Sequence, residues 1–367
     1  MASIEILTNK PQNSIVDFSL PEYFQDVYAF HTSMKEYKET PLHCLAALAE
    51  TLQVKKICVK DESSRFGLSA FKGLGTSYAM NRIIERGAHH QIEGEPTFVT
   101  CTDGNHGKAL AWYANINGYN SVVFMPKGSE RKRVKAIEGH RAKVIVTDMN
   151  YDDTVRFAAG YAKEHRFVLV QDTALPGYTE IPNDIAIGYS TLVREALNQM
   201  GEKPTHVFLQ AGVGSFAGGA IWYLCNRFQG DLPFVGIIEA SCVACFYESV
   251  KQGLPVCIGG EPYTVMAGLN CGEANTAMFP LIAAKASCFI KCEDSITEIG
   301  MARAKNPIGS DARFSSGESG AVGLGFVETV LSDAAYIKMK RTLQINSDSV
   351  ILVFNTEGEI SNESCDF

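Results

Sequence analysis

Residues 206–219 read HVFLQAGVGSFAGG, and how this stretch is parsed decides the fold. With the AIWYLC that follows, up to Cys225, it is the most membrane-like run in the chain. A membrane-spanning helix needs about 20 consecutive, predominantly apolar residues. Here glycines crowd the middle, at Gly212, Gly214, Gly218 and Gly219, and divide the run into strand, turn and helix start. Within the turn, Gly212, Val213, Gly214 and Ser215 can aim successive N–H groups at one point before a helix N-terminus. That suits a phosphate, although plain connecting turns look the same and the loop alone leaves both uses open. No Lys-Ser/Thr pair follows, so it is not a Walker loop. The spacing G-x-G-x-x-A fits a dinucleotide turn only loosely.

The same unit recurs on both sides. KICV (56–59), TFVTC (97–101), SVVFM (121–125), AKVIVT (142–147) and FVLVQD (167–172) are short β-rich runs before the loop. FVGIIE (234–239) and VILVFN (350–355) come after it. Helical patterns lie between them, including GKALAWYANIN, SERKRVKAIEGH and YDDTVRFAAGYAKEH, with one long helix expected near 185–200. Apolar runs without strict alternation suit strands buried on both faces, and strand alternating with helix predicts parallel α/β sheets. Two other glycine-bearing turns follow strands, TDGNHGKA (102–109) and NTEGE (355–359).

Bulk properties narrow the class. The chain has 367 residues, 46% hydrophobic and 20% charged, as in ordinary globular proteins. Its net charge of -8, from 33 basic and 41 acidic residues, offers no field for a polyanion, so no nucleic-acid partner is expected. The opening MASIEILTNKPQ carries Glu5 and lacks the apolar stretch of a secretory signal. Neither a membrane segment nor export is expected, and the reading is cytoplasmic. The 11 cysteines are scattered with no metal-ligand spacing, so no metal is expected.

One lysine stands out. In RFGLSAFKGLGTSY (65–78), Lys72 sits among small and apolar residues with Phe71 before it and Gly73 after it. Either it snorkels to water from a helix surface, or its amine does chemistry inside. The order of features is more specific than any one of them: this lysine, a G-N-H-G turn about thirty residues on, the G-V-G-S loop, and a last strand ending in Thr-Glu-Gly. In that order they resemble the fold-type II pyridoxal-phosphate enzymes. The blocks KDESSRFGLSAFKGLG, TDGNHGKALAW, FMPKGS, VTDMNYDDTVR, VQDTALPGY, PTHVFLQAGVGSFAGG, MAGLNCGEAN and SSGESGAVGLG resemble the diaminopropionate ammonia-lyase family. The resemblance runs from about Glu62 to Glu359.

It implies two three-layer α/β domains with mostly parallel sheets and the cofactor, pyridoxal 5'-phosphate, in the cleft between them. The large domain would take residues 1–92 and 190–367, and a smaller inserted one 93–189. Lys72 becomes the Schiff-base lysine, its amine kept neutral by apolar packing. Phe71 would lie against the pyridine ring, Asn105 would meet the ring hydroxyl, and His106 would shape the turn. Gly212, Val213, Gly214 and Ser215 would hold the phosphate, Ser215 adding its hydroxyl. Thr356 would face the ring nitrogen, where a hydroxyl cannot enforce protonation and elimination is favoured over transamination. Asp103 and Asp172 become acid/base groups on two sides of the substrate Cα, able to serve both enantiomers. Each of these types also has an ordinary use, as a turn-former, cap or core residue.

The implied reaction is α,β-elimination of ammonia from D- and L-2,3-diaminopropionate, giving pyruvate and two ammonia, by a homodimer acting on a small amino acid. The sequence departs from the family's pattern at Leu175-Pro176, where Trp-Glu is usual, and at Glu359 to Asn362. The alternatives are a serine or threonine dehydratase, a cysteine-type desulfhydrase, or a non-catalytic binder of the cofactor. Asp103, where dehydratases often carry Ser, argues for a cationic leaving group. Cys271 and Cys292 are a candidate redox clamp or two buried thiols.

Overall fold

The computed structural model describes residues 3–11, 21–87, 96–102, 104–174, 177–260 and 262–359. Among them, apolar runs form two separate sheets. The larger takes β1 (Ile4–Thr8), β2 (Leu42–Cys44), β3 (Lys56–Asp61), β8 (His206–Gln210), β9 (Phe234–Ala240), β10 (Cys288–Cys292) and β11 (Val350–Asn355). Its order is β1-β10-β9-β8-β11-β3-β2, with five parallel central strands and an antiparallel strand at each edge. The smaller takes β4 (Thr97–Cys101), β5 (Asn120–Met125), β6 (Lys143–Val146) and β7 (Val168–Leu169), all parallel, in the order β6-β5-β4-β7.

Burial on both faces explains why the central strands lack alternation. In β11, Val350, Leu352 and Phe354 enter one apolar cluster while Ile351 and Val353 enter another across the sheet. In β4, Phe98 joins the first cluster and Val99 and Cys101 join a third, under the small sheet.

Two local differences from the sequence reading have plain causes. The run at 167–172 pairs as a strand only at Val168–Leu169, because a side chain takes over from the backbone. Gln171 Oε1 accepts from Cys101 N and Thr100 Oγ1, each at 2.9 Å. The helix expected near 185–200 is two helices, Glu180–Gly188 and Ser190–Met200, meeting at Tyr189.

The segment leading to Lys72 is tied down from beneath. Arg65 donates to Glu62 at 2.8 Å and to Glu195 at 2.6 Å, and Lys60 Nζ lies 2.7 Å from Glu195. All four side chains are fully buried, so the two cations and two carboxylates balance where unpaired charge would be costly.

Candidate active site

Parallel strands collect their following loops at one end, where open α/β sheets bind ligands. The loops after β4, β7, β8 and β11 line a cleft of about 760 Å³. Phe71, Lys72, Asn105, Asp172, Gly212, Val213, Gly214, Ser215 and Thr356 all face it, so the structure brings together the described residues expected to act on cofactor and substrate. Asp103 lies outside the described residues, as do Leu175, Pro176 and residues 360–362; Glu359 is exposed.

Lys72 opens the helix Lys72–Glu85. The chain before it is stitched to the end of β11: Phe71 N donates to Thr356 O at 3.1 Å, and Ala70 bridges Glu357. Lys72 Nζ projects into the cleft and donates to Asp172 Oδ2 at 2.7 Å. Side-chain exposure is 18% for the lysine and 5% for the aspartate, which makes this a nearly dry ion pair. Burial works to lower the Lys72 pKa, as expected from its neighbours, but the Asp172 carboxylate outweighs it and holds the amine above its usual range. The expectation of a neutral amine is therefore corrected: the pair is charged. Burial likewise works to raise Asp172, yet the Lys72 ammonium wins and brings it down to about 2.

His106 is buried between Val170 O, 2.9 Å from Nε2, and Thr76 Oγ1, 3.3 Å from Nδ1. Its Nδ1 is 4.0 Å from Asp172, and burial lowers its pKa, which keeps the ring neutral. It braces the helix of Lys72 and the strand end of Asp172 against each other. Phe71 lines the cleft with its ring 4.6 Å from Tyr189 and 5.1 Å from Phe216.

The glycine loop is built as a cradle. Gly214 has φ +93°, a conformation that strains any side chain, and a Cβ there would stand 2.3 Å from Phe246 Cζ. A Cβ at Gly212 would stand 2.8 Å from Gly268 O. Among the described residues no acceptor takes the N–H groups of Gly212, Val213, Gly214 or Ser215, which precede and open the helix Ser215–Phe228. Free N–H groups at a helix N-terminus, with only hydrogens on two of the α-carbons, fit a phosphate. The Ser215 hydroxyl is not among the free donors, since it donates to Asp172 O.

Several side chains of the site gave no signal of their own role in the sequence. Asn275 Nδ2 donates to Ser215 Oγ at 2.9 Å and its backbone N to Val213 O at 2.7 Å, so it staples the loop. Glu357 accepts from Asn105 Nδ2 at 2.5 Å and from Ser319 N at 2.9 Å, joining the two sheets' loops across the cleft. Gln210 Nε2 donates to Thr356 Oγ1 at 3.1 Å, while its own Oε1 is buried with no partner. Arg133 lines the cleft over Gly104, its Nη1 3.1 Å from where a Cβ would sit. Asn275 and Glu357 stand in quoted blocks, MAGLNCGEAN and NTEGE, but only tertiary contacts reveal their use. Cys271 is on the cleft wall beside Gly212, whereas Cys292 ends β10 in the core.

A lysine and aspartate facing an empty-handed N–H cradle is the arrangement of a group that carries both an aldehyde and a phosphate. Residues 34–348 match the family described as pyridoxal-phosphate dependent enzyme. Over 345 residues the chain is 46% identical to the diaminopropionate ammonia-lyase of Escherichia coli K12, covering 90% of this chain and 87% of that protein. This chain belongs to the pyridoxal-phosphate-dependent enzymes, in the diaminopropionate ammonia-lyase family. The family member of Salmonella typhimurium LT2 is 41% identical over 359 residues, covering 92% and 89% of the two chains. A crystal structure of the E. coli ammonia-lyase, in complex with an aminoacrylate-PLP azomethine reaction intermediate, matches at TM-score 0.92 and 43% identity. It covers 98% of this chain and 95% of that one. Threonine deaminase isoform 2 of Solanum lycopersicum, at 16% identity and TM-score 0.77, shares the fold-type II architecture. No single described helix is long and apolar enough to cross a membrane.

Proposed function

We propose that this chain is a pyridoxal-phosphate-dependent carbon–nitrogen lyase that eliminates ammonia from D- and L-2,3-diaminopropionate, yielding pyruvate and two ammonia. The observation that carries this reading is the Lys72–Asp172 ion pair, 2.7 Å long, facing the unpartnered N–H groups of the glycine loop. When bound, the cofactor supplies an electron sink for the charge left on Cα after proton removal. The protein's own groups do the rest. Gly212, Val213, Gly214 and Ser215 would hold the phosphate through backbone N–H groups, and Phe71 would pack beside the ring. Asn105, whose Nδ2 donates to Glu357, would face the ring hydroxyl.

Thr356 Oγ1 accepts a hydrogen bond from Gln210 Nε2 at 3.1 Å and donates to Ser319 O at 3.5 Å, which fixes the hydroxyl on the cleft wall where the ring nitrogen would lie. A hydroxyl there brings no negative charge, so it would not enforce protonation of the nitrogen and would leave the sink weak, as elimination prefers. Lys72 Nζ would have to lose a proton before acting as a nucleophile, and Asp172, 2.7 Å away, would orient that amine. Asp172 and Asp103 then serve as acid and base at the substrate. Among the described lining residues Arg133 is the cation besides Lys72, and its guanidinium would supply the charge that faces the substrate carboxylate.

The remaining organisation belongs to the same reading. Strands β4 to β7 all come from within residues 93–189 and the larger sheet from outside them, which supports two domains divided at those points. The resemblance to the family suggests a homodimer in the cytoplasm; light scattering on the purified protein tests the first and fractionation of native cells the second. Reduction of the cofactor-loaded protein with borohydride, followed by peptide mass analysis, tests the anchor. The phosphopyridoxyl group is expected on Lys72, and Lys72→Ala loses both the label and turnover. A label on another lysine contradicts the reading.

A further inference from the structure

Away from the cleft, two thiols face each other across an edge of the large sheet. Cys44 in β2 and Cys58 in β3 are direct partners in the antiparallel register, and their Sγ atoms are 2.8 Å apart. The type of pair matters. Leu45 N donates to Ile57 O and Asp61 N to Pro41 O, which makes 45/57 and 41/61 the hydrogen-bonded positions of this ladder. By alternation 44/58 is a non-hydrogen-bonded pair, the position where opposite side chains approach most closely, with Cα atoms about 4.5 Å apart. That separation falls within the range a disulfide spans, about 4.4–6.8 Å.

Access is asymmetric. β2 is the outermost strand, so Cys44 is exposed, whereas Cys58 is buried beneath it. An oxidant therefore meets Cys44 first, with Cys58 already in contact behind it. The other exposed thiols among the described residues, Cys242 and Cys257, meet oxygen atoms, Tyr263 O and Glu273 Oε1. They have no such partner sulfur in the hydrogen bonds they make.

We infer that Cys44 and Cys58 are an oxidant-sensitive dithiol that closes to a reversible cross-strand disulfide. With hydrogen peroxide, Cys44 sulfur attacks the O–O bond, becomes a sulfenic acid, and one water leaves. Cys58 sulfur then displaces the hydroxyl from Cys44 sulfur, the S–S bond forms and the second water leaves. Both thiols are oxidised, both peroxide oxygens are reduced, and each thiol hydrogen ends in water. The bond would pin the edge strand β2 to β3, the strand that runs on to Asp61 and the Lys72 segment.

The test treats the cofactor-loaded, fully reduced protein with hydrogen peroxide, alkylates what remains, and maps peptides by mass. The expected result is a linked Cys44–Cys58 peptide lacking two hydrogens, with loss of alkylation at those two sites and recovery of both on adding dithiothreitol. Cys242 and Cys257 remain alkylated at the same dose. In Cys58→Ser, Cys44 stays as a sulfenic acid that dimedone traps, at least several-fold above wild type. If that variant fails to fold, the wild-type peptide map decides alone. Oxidation of Cys44 to sulfinic acid or to a mixed disulfide, while Cys58 stays fully alkylatable, overturns the inference.

Discussion

Asp172 carries two burdens, and they separate by experiment. As a partner it holds Lys72 charged, and in the proposed reaction it also moves a proton at the substrate. Asp172→Asn preserves the shape and removes both the charge and the basicity. The cofactor should still bind and show its visible absorbance, while turnover falls roughly 10²–10⁴-fold. Stability on acidification gives an independent reading. The folded carboxyl, at about 2, lies below its ordinary value, so its stabilisation is present above pH ~4 and is lost as pH falls toward 2. Urea unfolding of the cofactor-free protein should show wild type losing on the order of 2 kcal/mol more than Asp172→Asn across that window. Arg133→Gln should raise the KM for diaminopropionate about tenfold or more and change kcat less than about threefold, as loss of a carboxylate partner predicts. A lower kcat at constant KM would assign Arg133 elsewhere. The sequence made Lys72 and Asp172 legible because each sits in a motif, but not that they would pair. Their contact, 100 residues apart, also reversed the expected pKa of the lysine.

The glycine loop is the element on which the proposed cofactor binding depends. Gly214 is held at a positive φ with Phe246 directly behind it, and Phe246 is itself fixed because its N–H donates to the buried Glu239 carboxyl at 2.8 Å. Gly214→Ala forces both a backbone strain of about 1–3 kcal/mol and a collision with a ring that has little room to yield. Cofactor affinity should drop at least tenfold with a lower melting temperature, measured by fluorescence titration and calorimetry. Unchanged affinity would show that the loop does not hold the phosphate. Elements of this kind were legible because a strand buried on both faces is an unbroken apolar run, as in HVFLQ and VILVFN. Strands β1, β2 and β10 went unread from sequence for complementary reasons. IEILT and LHC are edge strands with polar residues and one neighbour, and CFIKC carries a lysine that breaks the apolar run. The parse of 206–219 was decided by where its glycines fall, and that same spacing leaves the N–H groups free.

At the scale of the molecule, two sheets present the C-terminal ends of their strands to one cleft, and the functional groups are divided between them. Lys72, the glycine loop and Thr356 come with the larger sheet; Asn105 and Asp172 follow strands of the smaller. The hydrogen bond from Asn105 to Glu357 and the Lys72–Asp172 pair are therefore contacts between the two halves as well as site chemistry. The topology of this cleft was inferable from the order of motifs. Its cross-links were not, since each joins residues far apart in the chain. What such a cleft eliminates is the central question. The decisive measurement is pyruvate and ammonia release by the cofactor-loaded protein from D- and L-2,3-diaminopropionate, D- and L-serine and L-threonine, side by side with Lys72→Ala. The account predicts two ammonia per pyruvate from both diaminopropionate enantiomers, kcat/KM for them at least ~10-fold above any hydroxy amino acid, and no turnover by Lys72→Ala. Faster turnover of serine or threonine, or activity surviving in Lys72→Ala, would contradict it.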